Sequence, residues 1–455
     1  MAQETKPPPG PEDGEQLPTT VFKLAGPVLI ERLSVSVLSG VDAFLVGHYV
    51  GVDAVAAIGI SALLFWVPLA GAFGLDIATT AVIARDYGAG TAGNLERTLR
   101  ASLLIAFIWG LIATTALWTL AGPLMTMMDA EPEVRAFGID YIRAASLSFP
   151  LLLLMFAASG AMRGLGNTWI PMLMSIVLNI VNAVVAFLLI SGVIGIELEV
   201  LASGIGTAAG GAVGGALAVF VLYRGVGPAR YEFRKALQTG RTEVKRLANL
   251  GVPAGLEEVQ FMLAFLVYTR LVSGLGTAAI AAHTIALRTL ELAIAPGFAF
   301  GAAATTLVSR FLGARQPAIA ERAAIITQIW AIGTMIVLGG LLAIFAPQFV
   351  GIFVDDQEVI DIGAKLLRIF AIAFPFMGLH ASLGGALRGA GDVRYVLGVI
   401  TVTAWLVRIP IAIVLTIVFG LGAPGAWIGA TTENIVRGGL IWQRFRAGGW
   451  KEKVV

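Results

Sequence analysis

The chain has 455 residues, of which 57% are hydrophobic and only 13% charged, with a mean hydropathy of +0.86 and a formal net charge of +2. An ordinary soluble domain carries roughly 25% charged residues, so a soluble enzyme, a disordered protein and a nucleic-acid-binding module are excluded. Cysteine is absent, which removes disulfides, thiolate metal sites and cysteine nucleophiles.

Residues 1–20, MAQETKPPPGPEDGEQLPTT, are polar with five prolines. They read as a solvated, disordered tail without the basic and apolar regions of a signal peptide. Twelve apolar stretches follow, at about 24–50, 54–84, 101–127, 137–160, 169–190, 199–222, 248–273, 276–309, 324–353, 358–385, 396–419 and 422–443. Each is long enough to cross a hydrocarbon core of roughly 30 Å as a helix. The chain is therefore expected to be an all-α, multi-pass membrane protein with twelve transmembrane helices.

Basic residues are concentrated in alternate connections. Arg85, Arg97, Arg100, Arg163, the run from Arg224 to Arg246, Arg310, Arg315, Arg322, Arg388, Arg394 and both terminal segments hold 22 of the 31 Lys and Arg. The other connections hold only Arg135. This asymmetry places both termini in the cytoplasm and fits an even number of spans.

The sequence repeats internally. AMRGLGN at 161–167 returns as ALRGAGD at 386–392, and Phe149-Pro150 as Phe374-Pro375, both at an offset of 225. Pro27 and Glu31 return as Pro253 and Glu257 at 226. Two six-helix bundles of like orientation, related by a pseudo-two-fold along the membrane normal, are expected. The expected domains are an N-lobe at 21–222, a basic cytoplasmic linker at 223–247, a C-lobe at 248–443 and a cytoplasmic tail at 444–455. The basic linker can also attract anionic membrane lipid. Pro68, Pro150, Pro253, Pro296, Pro375 and Pro410 fall inside spans and are expected to kink or loosen them.

Charged groups within a span cost roughly 2.5–3.5 kcal/mol each on insertion scales, so each asks for a reason. In the first lobe Asp42 sits eight residues before the outer end of its helix. Counting depth at 1.5 Å per residue, Asn179, Asn182 and Thr207 lie at the same level. A carboxyl, two amides and a hydroxyl are oxygen donors suited to a coupling cation. The carboxyl can take up and release a proton. The structural alternative is a packed, hydrogen-bonded polar cluster. In the second lobe Tyr268 stands where Asp42 would repeat. Glu257, Glu258, Arg288, Glu291, Arg408 and Glu433 all lie mid-membrane. Arg408–Glu433 and Arg288–Glu291 can form structural ion pairs. That leaves Glu257 and Glu258 uncompensated and, with Tyr268, candidates to line a cavity for cationic cargo. Glu31 and Asp76 lie near cytoplasmic helix ends, within reach of water. His48, His283 and His380 have no ligand-like spacing.

Two six-helix repeats, VDAFLVG at 41–47 in the first helix and the paired AMRGLGN and ALRGAGD motifs resemble the MATE family of multidrug and toxic compound extrusion antiporters, over residues 21–446. The resemblance implies two bundles around a cleft, alternating access, and export of organic cations driven by inward H⁺ or Na⁺ in a prokaryotic cytoplasmic membrane. It implies a monomer that needs no cofactor and is not an enzyme. Asp42 falls on the family's first-helix aspartate, and Asn179 and Thr207 on polar positions of its N-lobe cation site, where Na⁺ would be held. The family often carries an Asp four residues after that Asn. Here it is Ala183, which favours H⁺ over Na⁺; Asn182 could substitute in part. Phe261 stands where the NorM-like branch usually has a glutamate, which makes the chain more similar to the DinF-like branch. The competing readings are a lipid-linked precursor flippase of the same superfamily, whose cavity is usually more cationic, and a polytopic membrane enzyme. The latter has no catalytic constellation here.

Overall fold

The computed structural model describes residues 16–129, 131–193, 195, 198–227, 231–232, 235 and 238–453. Most of the expected N-terminal tail, Arg230 and Arg234 of the linker, and Val454 and Val455 lie outside the described residues. The described chain is helical. The helices are α1 (Leu17–Tyr49), α2 (Val52–Gly88), α3 (Ala92–Met127), α4 (Pro132–Ser146), α5 (Phe149–Gly164), α6 (Trp169–Ile190), α7 (Glu199–Arg224), α8 (Arg241–Ser273), α9 (Thr277–Gly313), α10 (Pro317–Ile344), α11 (Ala346–Gly351), α12 (Gln357–Ala371), α13 (Phe374–Ala390), α14 (Val393–Val402), α15 (Ile409–Ile413) and α16 (Gly422–Arg446).

Eight helices are long and apolar enough to cross a membrane, and two bent pairs raise that to ten. The pairs are α4 with α5, bent by 53°, and α12 with α13, bent by 49°. Each break falls just before a Phe-Pro dipeptide, Phe149-Pro150 and Phe374-Pro375. Proline has no N–H for the preceding turn and crowds its carbonyl, so the helix is interrupted there. Pro68, Pro253 and Pro296, in contrast, lie inside unbroken helices. The other two stretches expected to span, α1 and α16, are not among these ten and carry charged residues along the helix: Glu31, Arg32 and Asp42 in α1, Glu433 and Arg437 in α16.

Two compact units emerge. One comprises residues 30–255; the other comprises 256–455 together with 1–29. Their boundaries fall inside α1 and α8, whereas the sequence suggested lobes ending at 222 and starting at 248. The start of α1 is buried: Leu17, Val21, Leu24, Ala25 and Val28 share a core with α9, α10 and α13. Phe22 lies edge-on to Trp330, with ring centres 4.6 Å apart. This apolar packing also makes residues 17–20 helical, where a disordered tail was expected.

The repeat is written into the packing of each unit. Thr80 Oγ1 on α2 donates to the Gly160 carbonyl on α5 at 3.1 Å. Thr305 Oγ1 on α9 donates to the Gly385 carbonyl on α13 at 2.9 Å. Both partners are shifted by 225. Glycine permits these approaches: a Cβ at Gly164 would lie 2.8 Å from the Thr80 carbonyl oxygen, and one at Gly389 2.5 Å from that of Thr305. The RGLG and RGAG motifs are therefore helix-packing sites first. The left-handed glycines Gly166 and Gly391, at φ +86° and +94°, turn the chain only after them.

Candidate functional site

In the unit of residues 30–255, α6 and α7 pack closely because α7 presents glycine. A Cβ at Gly206 would come 2.8 Å from the Asn182 carbonyl oxygen, and one at Gly210 2.7 Å from that of Leu178. This proximity joins two of the sequence candidates. Asn182 Nδ2 donates to Thr207 Oγ1 at 3.2 Å, and Thr207 donates onward to the Ser203 carbonyl at 3.1 Å. Asn182 Oδ1 remains buried without a hydrogen-bond partner among the described residues. The Asp42 carboxyl on α1 has the same property at Oδ1.

Tyr141 on α4 lies within electrostatic range of the Asp42 carboxyl and near Thr207. It is 7% exposed and interacts with both the Asp42 carboxyl and the Thr207 hydroxyl. The depth count that gathered Asp42, Asn179, Asn182 and Thr207 would also have found it. Tyr141 lies nine residues from the start of α4 at Pro132, or about 14 Å along the helix, and a buried tyrosine hydroxyl usually finds a partner. Asn179 turns elsewhere. Its Nδ2 donates to Ser34 Oγ at 3.0 Å, and Ser34 donates to the Glu31 carbonyl at 2.7 Å. The four expected residues thus divide into a group of Asp42, Tyr141, Thr207 and Asn182 and a separate Asn179–Ser34 contact.

Arg163, read from sequence as a loop arginine, is buried near the end of α5. It pairs with Glu31 at 3.6 Å and Asp76 at 3.5 Å. Glu31 and Asp76 were expected to reach water; instead a buried guanidinium compensates them.

The unit of residues 256–455 contains the counterpart. Arg388 pairs with Glu257, which is 5% exposed. Arg388 also interacts with Glu258. The expectation of uncompensated Glu257 and Glu258 is therefore corrected. It failed because Arg388 was assigned to a cytoplasmic connection, whereas α13 runs on to Ala390. Glu433, fully buried on α16, pairs with Arg408 at 2.5 Å and with Arg437 one turn along its own helix. A π-helical segment, Thr403–Arg408, follows α14 and brings Thr403 to 3.4 Å from Glu433. Such widened turns recur at functional positions. Arg437 had no part in the sequence reading. Arg288 and Glu291 pair at 3.5 Å with both side chains exposed. Counting Arg388 and Arg437, the second half balances four arginines against four glutamates, which removes the acidic excess read from the sequence. Tyr268, 4% exposed, has the Arg408 guanidinium 5.7 Å from its ring centre. Among the described residues no group of three or more His, Cys, Asp or Glu could hold a metal ion.

The MatE family model matches residues 27–188 and again 253–414. The two matches are offset by 226, like Pro27 and Pro253. Similar curated proteins include a probable multidrug resistance protein NorM of Thermotoga maritima, 26% identical over 98% of this chain and 95% of that protein. Another is the multidrug resistance protein PmpM of Pseudomonas aeruginosa, 28% identical over 86% and 82%. Among solved structures, a mutant of the Vibrio cholerae MATE transporter VcmN superposes with a TM-score of 0.88 at 22% identity, covering 96% of this chain and 99% of that one. An outward-facing multidrug resistance MATE transporter gives 0.89 at 21%, covering 96% and 97%. The chain belongs to the MatE family and has the twelve-helix, two-bundle fold of MATE transporters.

Proposed function

We propose that this protein is a secondary antiporter that exports small organic molecules, cationic or amphipathic, in exchange for inward H⁺ by alternating access. It acts as a monomer in a prokaryotic cytoplasmic membrane with both termini inside. Family membership and the multidrug resistance names of its relatives support the transport class. The observation that carries the coupling reading is the buried Asp42 Oδ1, which has no hydrogen-bond donor among the described residues. As a carboxylate, Asp42 interacts with Tyr141. As a carboxylic acid it becomes a donor, and Asn182 Oδ1 is an acceptor in the same cluster that lacks one. Proton binding thus exchanges one set of contacts among α1, α4, α6 and α7 for another. A ligand shifts a conformational equilibrium only through such a difference between states. Oxygens of Asp42, Asn182 and Thr207 could also meet Na⁺, but Ala183 supplies no second carboxylate, which favours H⁺.

The test is drug efflux from proteoliposomes with a pH gradient and a sodium gradient imposed separately. Wild type is expected to respond to the pH gradient and Asp42→Asn to lose that response while still inserting. Wild-type rates in Asp42→Asn under a pH gradient would overturn the coupling role.

The balanced charges around Arg388, Arg408 and Arg437 favour a second reading, translocation of an anionic lipid-linked precursor. Measurable binding of lipid-linked sugar pyrophosphates, with none of ethidium, would select it.

A further inference from the structure

The two units place opposite chemistry at repeated positions. Tyr268 follows Asp42 by 226 residues, and Arg408 follows Asn182 by the same interval. Packing supports the second match. Gly206 abuts the backbone of Asn182 and the residue four further on, Ala186; Gly429 abuts the backbone of Arg408 and the residue four further on, Ala412. A carboxyl and an amide in one unit are thus replaced by a phenol and a guanidinium in the other.

These replacements leave donors without acceptors. Tyr268 Oη and Arg408 Nε are buried with no hydrogen-bond partner among the described residues, and so is Nε2 of His283 on α9. Tyr268 and Arg408 are 4% and 6% exposed, and His283 is fully buried. The protonation of His283 follows from its neighbour. Trp427 Nε1 donates to His283 Nδ1 at 3.1 Å. An indole N–H can only donate, so Nδ1 carries the lone pair and Nε2 carries the proton. The three groups gather around one ring: the Arg408 guanidinium carbon lies 5.7 Å from the Tyr268 ring centre, and the His283 ring centre also 5.7 Å from it. A phenol O–H, an imidazole N–H and a guanidinium N–H, all able to donate, therefore belong to side chains packed around one ring.

The nearby charges balance. Glu433 is shared by Arg408 and Arg437, and with Arg388, Glu257 and Glu258 the cluster holds three arginines and three glutamates. Glu257 and Arg388 neutralise each other, with the half-buried Glu258 beside them. His380, on α13, is held by Asn434 Oδ1 at 3.0 Å. Buried donors without acceptors carry a desolvation cost. A small anion that accepts from all three relieves it.

We propose that Tyr268, His283 and Arg408 form a buried anion site that takes a halide such as chloride, in the position that the repeat gives to the cation cluster of the other half. The inference does not depend on the transported substrate. It is tested on the full-length protein in lipid nanodiscs, replacing sodium gluconate by sodium chloride or sodium bromide at constant ionic strength. Melting temperature and tryptophan fluorescence are recorded, Trp427 being in contact with His283. A ligand that binds the folded state raises Tm in a saturable way, and both halides are expected to do so. Tyr268→Phe deletes only a hydroxyl that has no partner, so its Tm without halide should match wild type. Its half-saturating halide concentration should rise about tenfold, since a hydrogen bond to a charged ligand is lost. Wild type with no saturable halide response, as when water meets these donors, would overturn the proposal. So would a Tyr268→Phe protein that responds like wild type.

Discussion

At the scale of single residues, burial forces each charged side chain to find a counter-charge or a role. Arg163, Arg388, Arg408 and Arg437 are each tied to a carboxylate within their own unit. Removing one partner of such a pair strands the other, a cost of about 3–5 kcal/mol. These residues hold the bundles together and are poor choices for a group that must load and release a cation. Asp42 differs, because its Oδ1 has no hydrogen-bond donor among the described residues. Tyr141 interacts with the Asp42 carboxyl through its charge and with the Thr207 hydroxyl. The ring of Tyr141 also packs on Phe65, 5.8 Å between centres, so Tyr141→Phe keeps the packing and removes the hydroxyl. We expect that variant to melt within about 1 kcal/mol of wild type, the usual net value of one hydrogen bond. Its efflux under a pH gradient should fall several-fold at unchanged drug affinity, as read by transport assays beside equilibrium binding. Equal efflux would remove Tyr141 from the coupling cluster.

At the scale of elements, glycine decides how closely the helices approach. Gly206 and Gly210 let α7 lie on α6, and Gly429 lets α16 lie on the stretch carrying Arg408 and Ala412. A Cβ at Gly429 would be 2.8 Å from the Ala412 nitrogen and 2.9 Å from the Arg408 carbonyl oxygen. Both are backbone atoms and cannot rotate away. Gly429→Ala should therefore push α16 outward, loosen Arg408 from Glu433 and cost about 1–3 kcal/mol, the range for overpacking. Gly333 on α10 has nothing within 4 Å of the same added atom. Gly333→Ala should be neutral or stabilising by up to about 1 kcal/mol through helix propensity. Thermal unfolding of the two variants in one detergent compares them directly; equal Tm values would show that the close approach is not limiting.

At the scale of the whole molecule, the distribution of Lys and Arg sets orientation, and the cysteine-free sequence offers a clean assay. Gln238→Cys should be inaccessible to an impermeant maleimide in intact cells and labelled once the membrane is opened. Labelling from outside would reverse the topology. The C-terminal segment has a further role in its unit. Trp450, in the short 3₁₀ turn Gly449–Glu452, is fully buried and stacks on Phe445 with ring centres 5.0 Å apart. Lys451 reaches Glu321 at 2.7 Å and Lys453 reaches Asp392 at 3.1 Å. The residues after α16 thus close over the ends of α10 and α14.

The sequence by itself determined the helical class, the number of helices in two bundles and the repeat, and it assigned an expected depth to each polar residue. Each of these follows from one-dimensional quantities: run length, charge placement, a fixed offset and a rise per residue. Depth brought Asp42, Asn182 and Thr207 to one level, but it carries no azimuth. It could not tell that Asn179 turns toward Ser34 or that Tyr141 interacts with both Asp42 and Thr207. Pairing of charges was legible where the partners share a helix or a level, as with Arg408 and Glu433. It failed for Glu257, because a helix end set by residue type alone stopped α13 short and left Arg388 outside the membrane. Only the tertiary structure decided these points. The partner of a buried charge depends on which helix faces meet, and that is set by glycine contacts between segments far apart in the chain.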